Sequence, residues 1–476
     1  MNPTLAVAAA LAVLLVAAEA DAGAKPTPPE GAPEYQAPPR PADGANIALA
    51  IEKLEKGFDP DRPFLVWAIG SSFTNGLGDG STLIELIRPR FPNMPKIVYK
   101  RMAGNSTPYH LCRGWARHLV IPEQPDLVLL YNFGLVEDLE KLIVDLRQGT
   151  TADIVVGTIH WCEPHEKQWP DPDLPCSHQD IPKLRAVCEK HGVELVESRR
   201  EITEYMLANK LGIKSLLADA VHESAYASLM TNMNIARHFN RPAKFAYDPR
   251  SRERRIEAAA SPDVKLHGSW EKGAGSVTAR DKGAAIEVSF TGNRIGLIAW
   301  RNPEGGSAEV WLDGKPAAEA PVFQASYIKP DPKNAPLPPN PPRDRSPHRL
   351  TLGANVVPQS WTLTMTNDTG DYELVGSVTG PDGTGNSRKP FTSKSGQVIM
   401  EPEFWRQPES NPTGDKWTFE VTRNTVGRVD FKGEKAKFRL TLAQNLPNGP
   451  HKLKLAATGD GPVALDAFDV FEAPMR

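Results

Sequence analysis

The hydrophobic pattern of the chain changes period near Pro242, and this change limits the fold more than any other feature. Between residues 46 and 242, apolar runs at 63–69, 97–100, 126–131, 153–159 and 193–196 alternate with segments of helical period. Helices are predicted over 83–88, over 181–191 with Gly192 as C-cap, and over 224–239, where Tyr226, Leu229, Met230, Met233 and Ala236 share one face. Such alternation predicts a flavodoxin-like three-layer α/β/α domain over 46–242, with a parallel sheet whose carboxyl ends carry the active edge. Beyond Pro242, strands of period two and the turn dipeptides Asp313-Gly314 and Asn448-Gly449 predict antiparallel sheets, an all-β, jelly-roll-like sandwich region over 260–476. Pro347-His348-Arg349-Leu350-Thr351-Leu352 is echoed by Pro450-His451-Lys452-Leu453-Lys454-Leu455, which allows two units, 260–385 and 390–476. The proline-rich stretch 330–347 reads as an insertion within the first unit.

Length agrees with this division, since 476 residues exceed one ordinary domain. The segment 45–245 is long enough to bury a core of its own, so it is expected to fold and act alone. A net charge of −3 provides no positive field for a phosphate backbone, which excludes nucleic acid as a partner. Residues 5–18 form an apolar run followed by small-x-small patterns, so 1–22 read as a signal peptide and the protein as secreted or periplasmic. The run is too short to span a bilayer, and no integral membrane segment is expected in the mature chain. Residues 23–45, rich in proline, read as an extended linker.

Export permits disulfides, and Cys162 and Cys176, which bracket a proline- and aspartate-rich loop, are the expected pair. Cys112 and Cys188 read as small buried residues. A metal site from His160, Cys162, His165, Cys176 and His178 is the alternative, but the spacing matches no zinc template closely, and no metal is expected.

Two motifs carry chemistry. Gly70-Ser71-Ser72-Phe73-Thr74-Asn75-Gly76 places a serine just past the first strand, between glycines that permit a tight turn. Asp219-Ala220-Val221-His222 places a carboxylate three residues before an imidazole, where it can orient the ring and stabilise its charged form. Nucleophile, acid and base therefore follow in the order Ser72, Asp219, His222.

Over residues 46–242 these motifs resemble the SGNH, or GDSL-like, hydrolases. Gly70 to Gly76 is similar to that family's Gly-Asp-Ser-x-Thr-x-Gly block, with Ser71 in place of the aspartate and Ser72 as nucleophile. Asp219 to His222 matches its Asp-x-x-His block. The resemblance implies an oxyanion hole from the backbone N–H groups of Ser72 and Gly104 and a side-chain amide. In the family's Gly-x-Asn-Asp block the amide is an asparagine; here Gly134 fits the glycine, but Val136 stands at the asparagine position, which leaves Asn132 or Asn105 as the substitute. Tyr109 and His110 are candidates to line the substrate cleft. Six tryptophans of the β half (Trp270, Trp300, Trp311, Trp361, Trp405 and Trp417) offer sugar-stacking rings or sandwich core, and the strand parity of Trp361 and Trp417 favours core.

The function expected from this reading is an exported serine esterase that removes small acyl groups, acetyl foremost, from a carbohydrate and needs no cofactor. The rival is an inactive SGNH-fold protein that binds carbohydrate.

Overall fold

A computed structural model of the chain describes residues 25–56, 62–102, 108–176, 179–327, 347–405 and 411–476. The expected signal peptide, Gly104, Asn105 and His178 lie outside the described residues.

Five strands, β1 (Phe64–Ile69), β2 (Ile97–Met102), β3 (Leu127–Tyr131), β4 (Asp153–Gly157) and β5 (Glu194–Val196), form a parallel sheet in the order β2-β1-β3-β4-β5. Alternate residues of β1 face opposite layers, as period two requires. Val66 and Ala68 pack with Ile235 and Ala236 of the helix Ala225–His238, while Trp67 and Ile69 pack with Leu142 and Leu146 of the helix Val136–Gly149. The helices begin where their caps allow. The Asp180 side chain accepts the Lys183 N–H before Ile181–Lys190, and Ser224 accepts that of Ala227 before Ala225–His238. The α/β/α expectation thus holds, and the strand order reverses between β1 and β3, whose carboxyl ends bound the crevice where such folds bind ligands.

The β half pairs out of chain order. Ala285–Gly292 and Ser307–Leu312 both pair with Gly449–Ala457, and Arg294–Arg301 pairs with Ala436–Ala443 and Val463–Phe471. Their sheets enclose one core that includes Val288, Leu297, Leu455 and Phe468. A second set of strands, Phe323–Tyr327, Gln359–Met365, Asp371–Gly376, Gly380–Asn386 and Lys416–Arg423, is inserted in the sequence between strands of this sandwich and forms its own sheet, with Lys416–Arg423 between Phe323–Tyr327 and Gln359–Met365. A cut between 385 and 390 therefore divides strands that pair with each other. The echoed Pro-His motifs differ in structure as well: Pro450 and His451 lie in a long strand, whereas His348 packs against the α/β domain.

That packing joins the domains. Trp361, Trp417 and Phe419 of the inner β unit share a hydrophobic cluster with Trp115 and Leu119 of the α/β domain. Trp115 lies in the helical segment Leu111–Val120, which kinks at Gly114 with φ 152°. A Cβ on Gly114 would stand 2.4 Å from Arg349 Cβ and 2.6 Å from the His348 carbonyl oxygen, so glycine permits the close approach. Trp361 and Trp417 are fully buried, in keeping with their core reading, whereas Trp300 is 36% exposed.

Residues 25–45 do not form a free tether. Tyr35 is buried against the α/β domain, its hydroxyl donating to Asn234 Oδ1 at 2.6 Å and its N–H to the Tyr226 hydroxyl at 2.7 Å. Burial of one aromatic ring outweighs the extended preference of the surrounding prolines. Among the described residues no helix is long and apolar enough to cross a membrane.

Candidate active site

Ser72 opens the 3-10 turn Ser72–Leu77 directly after β1. Thr74 Oγ1 donates to the Tyr131 carbonyl at 2.7 Å and so ties this turn to the end of β3. A Cβ at Gly70 would lie 2.3 Å from that hydroxyl and 2.9 Å from the same carbonyl, which explains the glycine. On the other side of the crevice, the loop 217–223 presents Asp219 and His222. His222 Nε2 lies 3.0 Å from Ser72 Oγ, and His222 Nδ1 lies 2.7 Å from Asp219 Oδ2. The structure thus brings Ser72 to His222, 150 positions later in the chain, and to the Asp219 beside it, with hydrogen-bond spacing throughout. The N-terminal domain resembles the SGNH hydrolases.

In this SGNH-like domain the Asp219 carboxyl is held ionised by its neighbours. Partial burial works to raise the Asp219 carboxyl, but hydrogen bonds from the Val221 N–H, the His222 side chain and the His222 N–H together hold it below the usual carboxylate range. The loop carrying it is fastened from behind. Val221 O accepts from His160 Nε2 at 2.8 Å and from Cys162 Sγ at 3.4 Å, and the Glu163 N–H donates to Ala220 O at 2.8 Å. Since Nε2 of His160 is spent on Val221, and burial pushes this histidine toward its neutral form, Nδ1 is left as an acceptor. The Tyr131 hydroxyl stands 2.9 Å from both His160 Nδ1 and Glu223 Oε1, and Thr231 Oγ1 donates to the same Glu223 oxygen at 2.6 Å. The Phe73 ring meets His222 edge-on with centroids 5.9 Å apart, and lies 4.9 Å from His160. Tyr131, His160 and Glu223 thus pack behind the loop that carries Asp219 and His222, and neither motif marks them. The adjacency of Glu223 to His222 was the available signal, and His160 entered only as a metal ligand.

Asn132 follows β3 at the floor of the crevice. It is 4% exposed, and neither Oδ1 nor Nδ2 has a hydrogen-bond partner among the described residues. The Cβ that Gly70 lacks would be 3.1 Å from Asn132 Cβ, so this asparagine lies against the turn that carries Ser72. Val136 is a buried core residue at the start of its helix. Ser71 is buried too, and its Oγ has no partner.

Pro108 packs against Gly134, where a Cβ would come within 2.9 Å of its ring, which places 108–110 beside the same crevice. Tyr109 is 38% exposed and Arg113 lies over its ring at 4.7 Å. His110 differs from expectation: it is 2% exposed and stacks on Trp115 at 5.2 Å, inside the joint with the inner β unit.

The expected Cys162–Cys176 disulfide is not formed, and all four cysteines are free thiols. Each thiol of the expected pair turns to a carbonyl instead, Cys162 to Val221 O and Cys176 to Gln179 O, and Arg199 donates to Cys176 Sγ at 3.4 Å. Burial pushes the Cys162 thiol up to about 12, which disfavours the thiolate that disulfide exchange requires. Among the described residues no group of His, Cys, Asp and Glu could hold a metal ion. His160 is engaged as above, and His165 Nδ1 accepts the Cys162 N–H.

No protein-family model and no curated protein matches the chain. Among solved structures, a two-domain esterase active on acetylated mannans is similar over 91% of this chain and 96% of its own, at 11% identity and a TM-score of 0.33. A GDSL-like lipase from Parabacteroides merdae is similar over 38% of this chain and 97% of its own, at 16% identity and a TM-score of 0.30. A family two carbohydrate esterase from Cellvibrio japonicus covers 46% of this chain and 33% of its own, at 9% identity and a TM-score of 0.20.

Proposed function

We propose that the protein is an exported serine esterase of SGNH type that removes small acyl groups, acetyl foremost, from a polysaccharide. The observation that carries this reading is the unbroken relay from Ser72 Oγ through His222 to Asp219. Ser72 Oγ attacks the ester carbonyl and passes its proton to His222 Nε2, while Asp219 holds Nδ1–H and stabilises the charged ring. The oxyanion receives the Ser72 and Gly104 N–H groups and the side-chain amide of Asn132, whose buried, unpartnered nitrogen supplies the donor that Val136 lacks. His222 returns the proton to the departing sugar hydroxyl, and water attacks the acyl-enzyme by the same route in reverse. This sequence uses no cofactor. Tyr109, half-exposed beside the crevice, offers a ring on which a sugar can stack.

The test is twofold. A fluorophosphonate should label Ser72 and no other residue, and acetate should be released from an acetylated glycan. Binding of the glycan with neither labelling nor release would establish the inactive, carbohydrate-binding alternative.

A further inference from the structure

A cavity of about 520 Å³ opens at the end of the parallel sheet opposite Ser72, between the amino ends of β1 and β2 and the outer sandwich. Its charges are matched almost throughout. Lys53 bridges Asp126 at 2.7 Å and Glu253 at 2.8 Å, Arg62 reaches Asp126 at 2.9 Å, Lys100 holds Glu123 at 2.6 Å, and Arg439 holds Asp469 at 2.9 Å. Arg294 is the exception. It is 7% exposed, its Nε is buried without a hydrogen-bond partner, and its guanidinium lies over the Phe471 ring at 3.4 Å. Burial pushes this guanidinium down to about 10. Glu253, Asp126 and Asp469 are near enough to act on it through space, but none is hydrogen-bonded to it; a buried cation without a bonded counter-ion is costly to keep, and Arg294 lines the cavity.

We propose that this cavity binds a small organic monocarboxylate with an apolar tail, its carboxylate paired to Arg294. A guanidinium fork matches the two oxygens of a carboxylate, and one buried cation without a bonded counter-ion, with carboxylates already nearby, calls for a monoanion in preference to a phosphate dianion. Leu65, Val98 and Leu440 line the cavity and are half-buried, so they suit a hydrocarbon tail. The volume falls within the range of roughly 300–1,000 Å³ typical of small-molecule sites. Because its walls come from the α/β domain and from the sandwich, an occupant fastens the two together and stabilises the folded chain. The proposal is independent of the chemistry at Ser72, which lies at the other end of β1.

Octanoate, its neutral analogue octanamide and inorganic phosphate serve as probes of the full chain, followed by melting temperature and by calorimetric titration. Octanoate should bind saturably and raise Tm, while octanamide and phosphate leave it unchanged. Arg294→Met should weaken octanoate binding by about tenfold or more, yet melt no lower than the parent without ligand, because it removes an unpaired charge. Leu440→Trp, which fills the cavity from the sandwich side, should also lose octanoate binding. Absence of octanoate binding, equal binding of octanamide, phosphate binding in octanoate's place, or unchanged binding in either variant would overturn the proposal.

Discussion

At the scale of single residues, the two adjacent serines have opposite fates. Ser72 Oγ meets His222, whereas Ser71 Oγ is buried with no hydrogen-bond partner among the described residues. Ser72→Ala should therefore lower kcat on 4-nitrophenyl acetate by about 10⁴-fold or more, and Ser71→Ala should leave both activity and stability nearly unchanged. The reverse outcome would place the nucleophile one residue earlier and dismantle the oxyanion assignment. Asn132 is the second case, because a buried amide with no partner is retained at a cost that substrate binding can offset. Asn132→Ala should cut kcat by about 10²- to 10³-fold with little change in KM, as loss of one oxyanion donor does. A change in KM alone would make it a ground-state contact instead.

Among the elements, the segment Leu111–Val120 matters most, because it carries the joint between the α/β domain and the inner β unit. His118 Nδ1 donates to the Ala325 carbonyl at 2.6 Å, its Nε2 is buried without a partner, and the rings of Tyr327 and Phe419 flank it. Burial lowers this histidine to about 4, against about 6.5 in an unfolded chain. The unfolded state therefore binds the extra proton first. The stability held by neutral His118 is complete above about pH 6.5 and is lost as pH falls toward 4, a decline of up to about 3 kcal/mol. Urea midpoints at pH 7 and pH 4.5 measure it. His118→Asn, which keeps a donor for Ala325 O but does not titrate, should flatten part of that slope. The remainder belongs partly to His165, which burial also lowers to about 4. An unaltered slope in His118→Asn would remove the joint from the account of acid sensitivity.

For the molecule as a whole, modularity is less complete than the change of pattern at Pro242 implies. Trp115, Leu111 and Leu119 are buried in a cluster shared with Trp361, Trp417 and Phe419, and Arg252 Nη1 donates to Asp153 Oδ1 at 2.7 Å across the start of the β half. A chain cut to residues 25–250 should expose that apolar face, bind a hydrophobic dye and aggregate, where the length argument alone expects an active fragment. A soluble, monomeric 25–250 fragment with full activity on a small ester would show that the shared core is dispensable.

What the sequence determined by itself were the features that depend on local order: the period of each segment, the turn that follows β1, the spacing of Asp219 and His222, and hence the sheet class and three candidate residues that the fold brings within hydrogen-bond distance. These are legible because side-chain periodicity and short motif spacing are properties of neighbouring residues. Tertiary structure alone decided the remainder. Whether Cys162 meets Cys176 or a carbonyl, and whether His110 lines a cleft or a core, depend on where distant segments cross. Composition likewise made a tether of residues 25–45, yet Tyr35 found a pocket formed by residues some 190 positions later. The nesting of one β unit inside another escaped the sequence for the same reason, since period-two strands state which face is buried but not which strand lies alongside.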